Sequence, residues 1–219
     1  MAITGFELLW QAAPQLAVGA GRTLAIAGGG ILLASVLGLA YGIGRSLRRP
    51  WLDLLLRGYL ELFRAIPVLV WLYLGFFGLP LLLGIDLPAF WCAVLVLGLW
   101  GATEIGEVVR GALASLPPGQ REAGLAIGLD TPQLYRWVLL PQGLKRLTPG
   151  VINVHTRIIK TSSLAVLIGV VDVTKVSQQI IERTYESVTL YGFLFVFFFL
   201  LCYPLSSASR ALERRWNHA

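Results

Sequence analysis

Five stretches of this chain are too apolar to sit in water and long enough to cross a bilayer. Residues 23–43, 65–85, 87–103 and 187–209 contain no Asp, Glu, Lys or Arg. A fifth stretch, 161–171, is short, but it extends backwards through Val151, Ile152, Val154, Ile158 and Ile159. A helical crossing needs about 20 predominantly apolar residues. Composition agrees: 56% of residues are hydrophobic and 14% charged, against about 25% charged in a soluble domain. No ten-residue strand alternation recurs, which argues against an outer-membrane barrel. The expected fold is therefore an all-α integral membrane protein, one domain over residues 1–219. Its five transmembrane helices fall near 17–44, 62–85, 87–109, 151–172 and 187–209. Asp86 is the only charge between the second and third runs, so those spans form a tight hairpin.

The basic residues are unevenly shared between the connections. Fifteen of the 18 Lys and Arg lie in the links after the first span and in 110–160, or follow the fifth span. Only Arg22, Lys175 and Arg183 fall on the other side. The positive-inside rule then places the C-terminus in the cytoplasm and the N-terminus outside. Arg45, Arg48, Arg49, Arg210, Arg214 and Arg215 read as topology signals and anchors to membrane lipid. No basic stripe lies on a soluble domain, so nucleic acid is not an expected partner. Residues 1–21 lack Lys and Arg, unlike a cleaved signal, and residues 6–18 suit a short helix lying in the outer interface. Cys92 and Cys202 lie in apolar runs as small hydrophobes. His155 and His218 have no ligand spacing, so no metal site is expected. Trp10, Trp51, Trp91 and Trp216 fall near span ends, as interfacial aromatics do. Gly38 and Gly42 form one GxxxG, a helix-packing device.

The segment 117–150, PPGQREAGLAIGLDTPQLYRWVLLPQGLKRLTPG, is too charged for lipid and too short for a domain. Pro117-Pro118 opens a helix, and Glu122 follows in its first turn, where the helix dipole favours a negative charge. Gly124 and Gly128 are four apart and share one face, with Ala123, Ala126 and Ile127 around them. Thr131-Pro132 caps a second short helix, and Pro141 and Pro149 break the chain before the fourth span. Two short helices at a sharp angle make a rigid knob on which a soluble partner can dock. The patterning is equally compatible with a loop resting on the headgroups.

Charges near the spans are costly, about 2.5–3.5 kcal/mol at a helix centre. The candidates are Glu61, Arg64, Glu104, Glu107, Arg110, Arg157 and Lys160. Glu61 with Arg64, and Glu107 with Arg110, stand i,i+3 and can neutralise one another. Glu104 needs a partner or water. Lys160, Thr161, Ser162 and Ser163 place four polar residues in a row. They suit a solute path, with Lys160 and the hydroxyls meeting an α-carboxylate. Alternatively the hydroxyls bond back to helix carbonyls and Lys160 snorkels to the edge.

Four segments together carry a family resemblance over most of residues 61–180. GQREAGLAIGLDTPQLYRWVLLPQGLKRLTPGVIN resembles the "EAA" signature of binding-protein-dependent ABC importer permeases. Glu122, Ala123, Ala126, Gly128, Leu140 and Pro141 match, and Gly124 stands where alanine is usual. ELFRAIPVLVWLYLGFFGLP (61–80) is similar to "RGTPLLVQLF…FGLP", with Ala65, Ile66 and Trp71 departing from it. EIGEVVRGAL (104–113) is similar to "AEIVRGGI", whose glutamate matches Glu107 and not Glu104. IIKTSSLAVLIGVVDVTKVSQQI (158–180) is similar to "LLKDTSLASVIGVPELTRAAQQI". The resemblance is to the polar amino-acid branch.

That resemblance implies the type I importer permease fold in a bacterial inner membrane, with cytoplasmic coupling helices over 117–150. Arg121, Glu122, Ala123, Gly124, Ala126, Gly128, Leu140 and Pro141 would contact the ATPase. Glu61, Arg64, Glu104, Glu107 and Lys160 to Ser163 would line the path. The implied partners are two cytoplasmic ATP-binding subunits, a second permease (identical or similar), an extracytoplasmic solute-binding protein and an amino-acid substrate. The chain has no G-x-x-x-x-G-K-[ST] loop, so ATP and Mg are expected on the partner ATPase and no cofactor on this chain. Alternating access would follow from the family. The competing readings are a stand-alone channel or secondary transporter for small polar solutes, and a membrane enzyme. For an enzyme no convergent set of nucleophiles or ligands is present.

Overall fold

The computed structural model of the chain describes residues 5–47 and 49–217, the side chains of 216 and 217 excepted. The readings at Arg48, the Trp216 side chain and His218 lie outside the described residues. Those residues form helices with short connections.

α1, Gly5–Ser46, is one helix of 42 residues, about 63 Å long at 1.5 Å per residue and roughly twice the apolar slab. No separate interfacial helix forms over 6–18. Pro14 lies inside α1, and the N-terminal turns have packing of their own. Leu8, Ala12 and Leu16 repeat every fourth residue and are buried with Val176, Ile180 and Leu190.

The second expected span is broken. α2, Pro50–Ala65, meets α3, Val68–Leu83, at 99°. Pro67 explains the elbow: it has no N–H to donate and disfavours helical geometry at the preceding residue. Ile66 is accordingly extended, with φ −111° and ψ 130°. Residues 62–65 therefore belong to α2, and the next apolar helix starts at Val68. Gly84, with φ +67°, ends α3. α4, Ala89–Ala114, follows the expected hairpin and runs past residue 109.

α5, Pro118–Ala126, is the short helix expected after Pro117. α6 runs from Thr131 to Ile168 without interruption, which corrects the expected breaks at Pro141 and Pro149. A proline inside a helix clashes with the carbonyl four residues back. Ahead of Pro141 the helix widens into a π turn over Tyr135–Leu139, and the Leu140 N–H reaches the Tyr135 carbonyl. The same device precedes Pro80, where Leu74–Gly78 is a π turn and the Leu79 N–H reaches Leu74 O. Further along, the Pro149 carbonyl accepts a hydrogen bond from the buried Ser209 Oγ at 2.8 Å. The helix ends at Ile168, four residues before the expected span limit at 172, because Gly169 turns left-handed at φ +86°. Asp172 then caps α7, Val173–Thr184, and α8, Ser187–Asn217, returns along α6.

The centre of the bundle is a close contact between α1 and α4. A Cβ on Gly42 would lie 2.5 Å from Val109 Cβ and 2.6 Å from Gly106 O. One on Gly38 would lie 2.7 Å from Ile105 Cβ. The GxxxG of α1 therefore lets two backbones meet. Gly101 does the same for α6, since a Cβ there would meet Ile158 and Ala34. Ile26, Leu97, Ile105, Val109, Val154 and Ile158 fill the space around this seam, all at most 2% exposed.

Two expectations follow. Gly42→Leu forces the α1–α4 seam apart and costs at least the 1–3 kcal/mol typical of overpacking. It should lower the unfolding temperature in detergent, whereas Gly28→Leu, with nothing within 4 Å of the new Cβ, should not. At the start of α7, Asp172 is fully buried. Its Oδ1 accepts the Lys175 N–H at 2.9 Å, and Oδ2 has no hydrogen-bond partner among the described residues. Burial pushes its carboxyl up from the ordinary aspartate value, and the Lys175 N–H opposes that shift. The folded state then holds this proton more tightly than the unfolded chain does. Stability from this residue is thus greatest in acid and declines as pH rises through its raised value. Asp172→Asn keeps a capping oxygen without the buried charge. It should raise the unfolding temperature near about pH 7 and give no such gain near about pH 3.

Candidate coupling corner and polar seam

α5 is held at both ends by local chemistry. Pro118 occupies its first turn. At its C-terminus the Leu129 N–H bonds Gly124 O at 3.1 Å and the Gly128 N–H bonds Leu125 O at 3.0 Å, the paired bonds of a Schellman stop. Gly128 sits at φ +84°, where a side chain would be strained. It lies outside the helix and does not share a helical face with Gly124. Gly124 is buried, and a Cβ on it would lie 2.5 Å from Leu134 Cδ1. Gly124 therefore receives α6 and presents nothing to a partner. The cap of α6 is Asp130, not Thr131: Asp130 Oδ1 accepts the Gln133 N–H at 2.8 Å, and Gln133 Oε1 accepts the Asp130 N–H at 3.0 Å.

Three cross-braces stiffen the corner. Tyr135 OH donates to Ser46 O at 2.8 Å and meets Ser46 Oγ at 2.9 Å, tying α6 to the end of α1. Arg146 donates to Ser115 Oγ at 3.0 Å. Gln142 Nε2 donates to Gln120 Oε1 at 3.1 Å. Glu122, Ala123, Ala126, Gly128 and Pro141 remain exposed, with Leu125 at 48% and Ile127 at 78%. Arg121 and Leu140 are half-buried. The structure thus gathers Arg121 to Gly128 into the second half of α5 and its stop, while Leu140 and Pro141 follow the π turn of α6.

The ionisable residues form a second feature, a seam of ion pairs between helices. Glu104 of α4 meets Arg157 of α6 at 2.6 Å and Arg64 of α2 at 3.8 Å. Glu107 pairs with Arg110 at 3.1 Å, as its spacing predicts, and also with Arg45 of α1. Arg45 in turn bonds Asp53 at 3.0 Å. The expected Glu61–Arg64 pair does not form: Arg64 turns to Glu104, and Glu61 is exposed with no ion pair within 4 Å among the described residues. A partner on another helix prevails because Glu104 is 15% exposed, and an uncompensated carboxylate there would be costly.

On α6, Asn153, Arg157 and Lys160 are all exposed and stand i, i+4, i+7, on one face. A polar stripe along a crossing helix does not suit lipid and requires water or protein opposite. Lys160 also lines a shallow groove of about 520 Å³ with Phe195, Phe199, Tyr203 and Arg210. The hydroxyls bond back along the chain: Ser162 Oγ to Ile159 O at 2.8 Å and Ser163 Oγ to Lys160 O at 2.8 Å. Ser162 is 1% exposed, so its hydroxyl reaches no open surface. Thr161 and Ser163 are half-buried. Sequence reasoning underrated Asn153 and Arg157, whose spacing with Lys160 is a readable signal. It read Arg45 as an anchor, although its side chain is 8% exposed and bonded to two acids.

Residues 30–218 match the family described as binding-protein-dependent transport system inner membrane component. The chain belongs to that family. This permease component is 33% identical over 211 residues to the glutamine transport system permease protein of Escherichia coli, covering 96% of each chain. It is 30% identical over 213 residues to the octopine transport system permease protein of Rhizobium radiobacter, covering 94% of this chain and 87% of that one. To the arginine transport system permease protein of Bacillus subtilis it is 30% identical over 190 residues, covering 84% and 86%. In structure it matches a chain of a crystallised amino acid ABC transporter with histidines at TM-score 0.85 and 26% identity, covering 94% and 96%. It shares its fold with the inward-facing methionine ABC transporter at TM-score 0.80 and 23% identity, covering 93% and 97%. The permease component therefore has the type I importer fold, and its helices lie in the inner membrane.

The seam gives a contrast between two glutamates of this permease component. Glu104→Gln leaves Arg64 and Arg157 sharing no carboxylate. Its cost should be about 1–2 kcal/mol, between that of an exposed and a buried pair. Glu61→Gln, which breaks no ion pair, should stay within about 0.5 kcal/mol. Chemical denaturation in detergent separates the two.

Proposed function

We propose that the chain is the membrane permease subunit of an ATP-driven importer of amino acids. Two such subunits, identical or similar, face one another and are moved by two cytoplasmic ATPase subunits. The observation that carries this reading is the α5 corner. It is an exposed, apolar-tipped knob packed on α6 through Gly124, and Tyr135 ties that part of α6 to the end of α1. A braced corner transmits displacement into α6, which is continuous from Thr131 into the membrane. The amino-acid class rests on the similarity to the glutamine and arginine permease proteins.

In this reading the basic end, with α5 and the C-terminus, faces the cytoplasm, and the start of α1 lies outside, in line with the charge asymmetry. The solute-binding protein approaches the opposite end, where α7 and the N-terminal turns of α1 pack together. The polar stripe of Asn153, Arg157 and Lys160, with Arg64 and Glu104 beside it, lines the path between facing subunits. Exposed cations there receive the α-carboxylate of the solute. The subunit performs no covalent chemistry. ATP and Mg belong to the partner ATPase, whose closure shifts the corner and rocks the spans between outward and inward openings. The stand-alone channel reading predicts function without any ATPase.

Ile127→Asp tests the corner with little risk to the fold, because Ile127 is 78% exposed. The variant should keep its unfolding temperature, yet lose the ATP-hydrolysing subunit on purification from its native membrane, and lose uptake with it. Unchanged co-purification and uptake would remove the corner from the coupling path.

A further inference from the structure

A cavity of about 710 Å³ opens between the α1–α2 elbow and the α4–α5 corner. Among the described residues, five arginines line it: Arg45, Arg49, Arg57, Arg110 and Arg121. Asp53 and Glu122 are its acidic lining residues, and Glu107 stands behind Arg45 and Arg110. The carboxylates do not suffice for the arginines. Asp53 is shared by Arg45 and Arg57, at 3.0 and 2.7 Å, and Glu107 by Arg45 and Arg110. Among the described residues, five guanidinium groups face three carboxylates, leaving two positive charges. Arg45 is spent, with 8% of its side chain exposed, whereas Arg57 and Arg110 keep 64% and 39% exposed toward the opening. Arg49 and Arg121 have no ion pair within 4 Å among the described residues.

The cavity has an apolar border. α2 is bent 99° from α3. Asp53 and Arg57 turn into the cavity. One helical step round, α2 presents Trp51, Leu54, Leu55 and Leu62, which are 65%, 74%, 65% and 50% exposed. Leu54 and Arg57 are i,i+3 neighbours, so the apolar stripe begins beside the guanidinium groups. A charged recess flanked by exposed leucines matches the two-part chemistry of an amphiphile.

We propose that this cavity holds the headgroup of an anionic phospholipid, its phosphodiester on Arg49, Arg57 and Arg110 and its acyl chains along Trp51, Leu54, Leu55 and Leu62. Free phosphate shares the headgroup chemistry, but it leaves the leucine stripe bare. A soluble acidic peptide does so as well. The headgroup supplies the negative charge that Asp53 and Glu107 lack. It also joins the elbow to Arg121 at the base of α5, so lipid composition would bias the stiffness of the corner.

The full chain, extracted in mild detergent and offered equal phosphatidylglycerol and phosphatidylcholine, is weighed intact by native mass spectrometry. One phosphatidylglycerol should be retained at least about tenfold over phosphatidylcholine, as expected when two or more arginines meet the headgroup. The double variant R49Q/R57Q should reduce that preference to within about twofold. Leu54→Ser with Leu55→Ser should weaken retention of the lipid, and millimolar inorganic phosphate should not displace it. Equal retention of the two lipids by the unaltered chain would overturn the proposal, whatever the variants do. Displacement by inorganic phosphate would also overturn it, in favour of a free anion site.

Discussion

The contact that the rest of this structure depends on is the approach of α1 to α4 at Gly38, Gly42 and Gly106. Without side chains in the way, the two backbones come close enough for Tyr41 to lie over Gly106. One turn further, Arg45 reaches Glu107. That contact sets the level of α4 in the bundle, and α4 carries both glutamates of the ion-pair seam. Lipid offers no hydrophobic drive to bring helices together, so close van der Waals packing and interhelical polar bonds must do it. Here the glycines supply the first and the arginines the second.

Once α1 and α4 are in register, the polar groups sort themselves by what each helix offers. Glu107 is enclosed by Arg45 and Arg110. Glu104 draws Arg64 from α2 and Arg157 from α6, joining three helices at one carboxylate. Two arginines on one acid leave the site net positive, and Lys160 adds to it. The same imbalance recurs at the α1–α2 junction around Asp53. Both surpluses lie on open surfaces, the first on the polar stripe of α6 and the second in the cavity beside α2. In a membrane protein an exposed surplus of charge marks where water, solute or a headgroup must come.

Much of this architecture was legible in the residues. Charge-free runs located most of the long apolar helices, and Pro118 placed the start of α5. The elbow at Pro67 was hidden because the run 65–85 is uniformly apolar, although a proline there biases Ile66 away from the helix. Pro141 misled in the opposite direction: a π turn widened the helix to admit the ring, and no local pattern announces such a turn. Gly124 could not be interpreted without Leu134, since its role is to leave room for a side chain ten residues on. Glu61 and Arg64 showed the limit of spacing rules. A neighbour at i,i+3 loses to a partner across helices when that partner's carboxylate is nearly buried. The grip of Arg64 and Arg157 on Glu104 is a tertiary fact, and only the assembled bundle displays it.

The central claim is that a separate motor grips the α5 corner and works α6 as a continuous lever. It is tested most directly by placing a photo-reactive phenylalanine analogue at Ile127 in the protein's native membrane and irradiating it. The account predicts a covalent adduct of this chain with an ATP-hydrolysing subunit, and none when the same analogue replaces Leu200, which is 64% exposed on α8. An Ile127 probe that labels only lipid, in membranes that still accumulate amino acid, would contradict it.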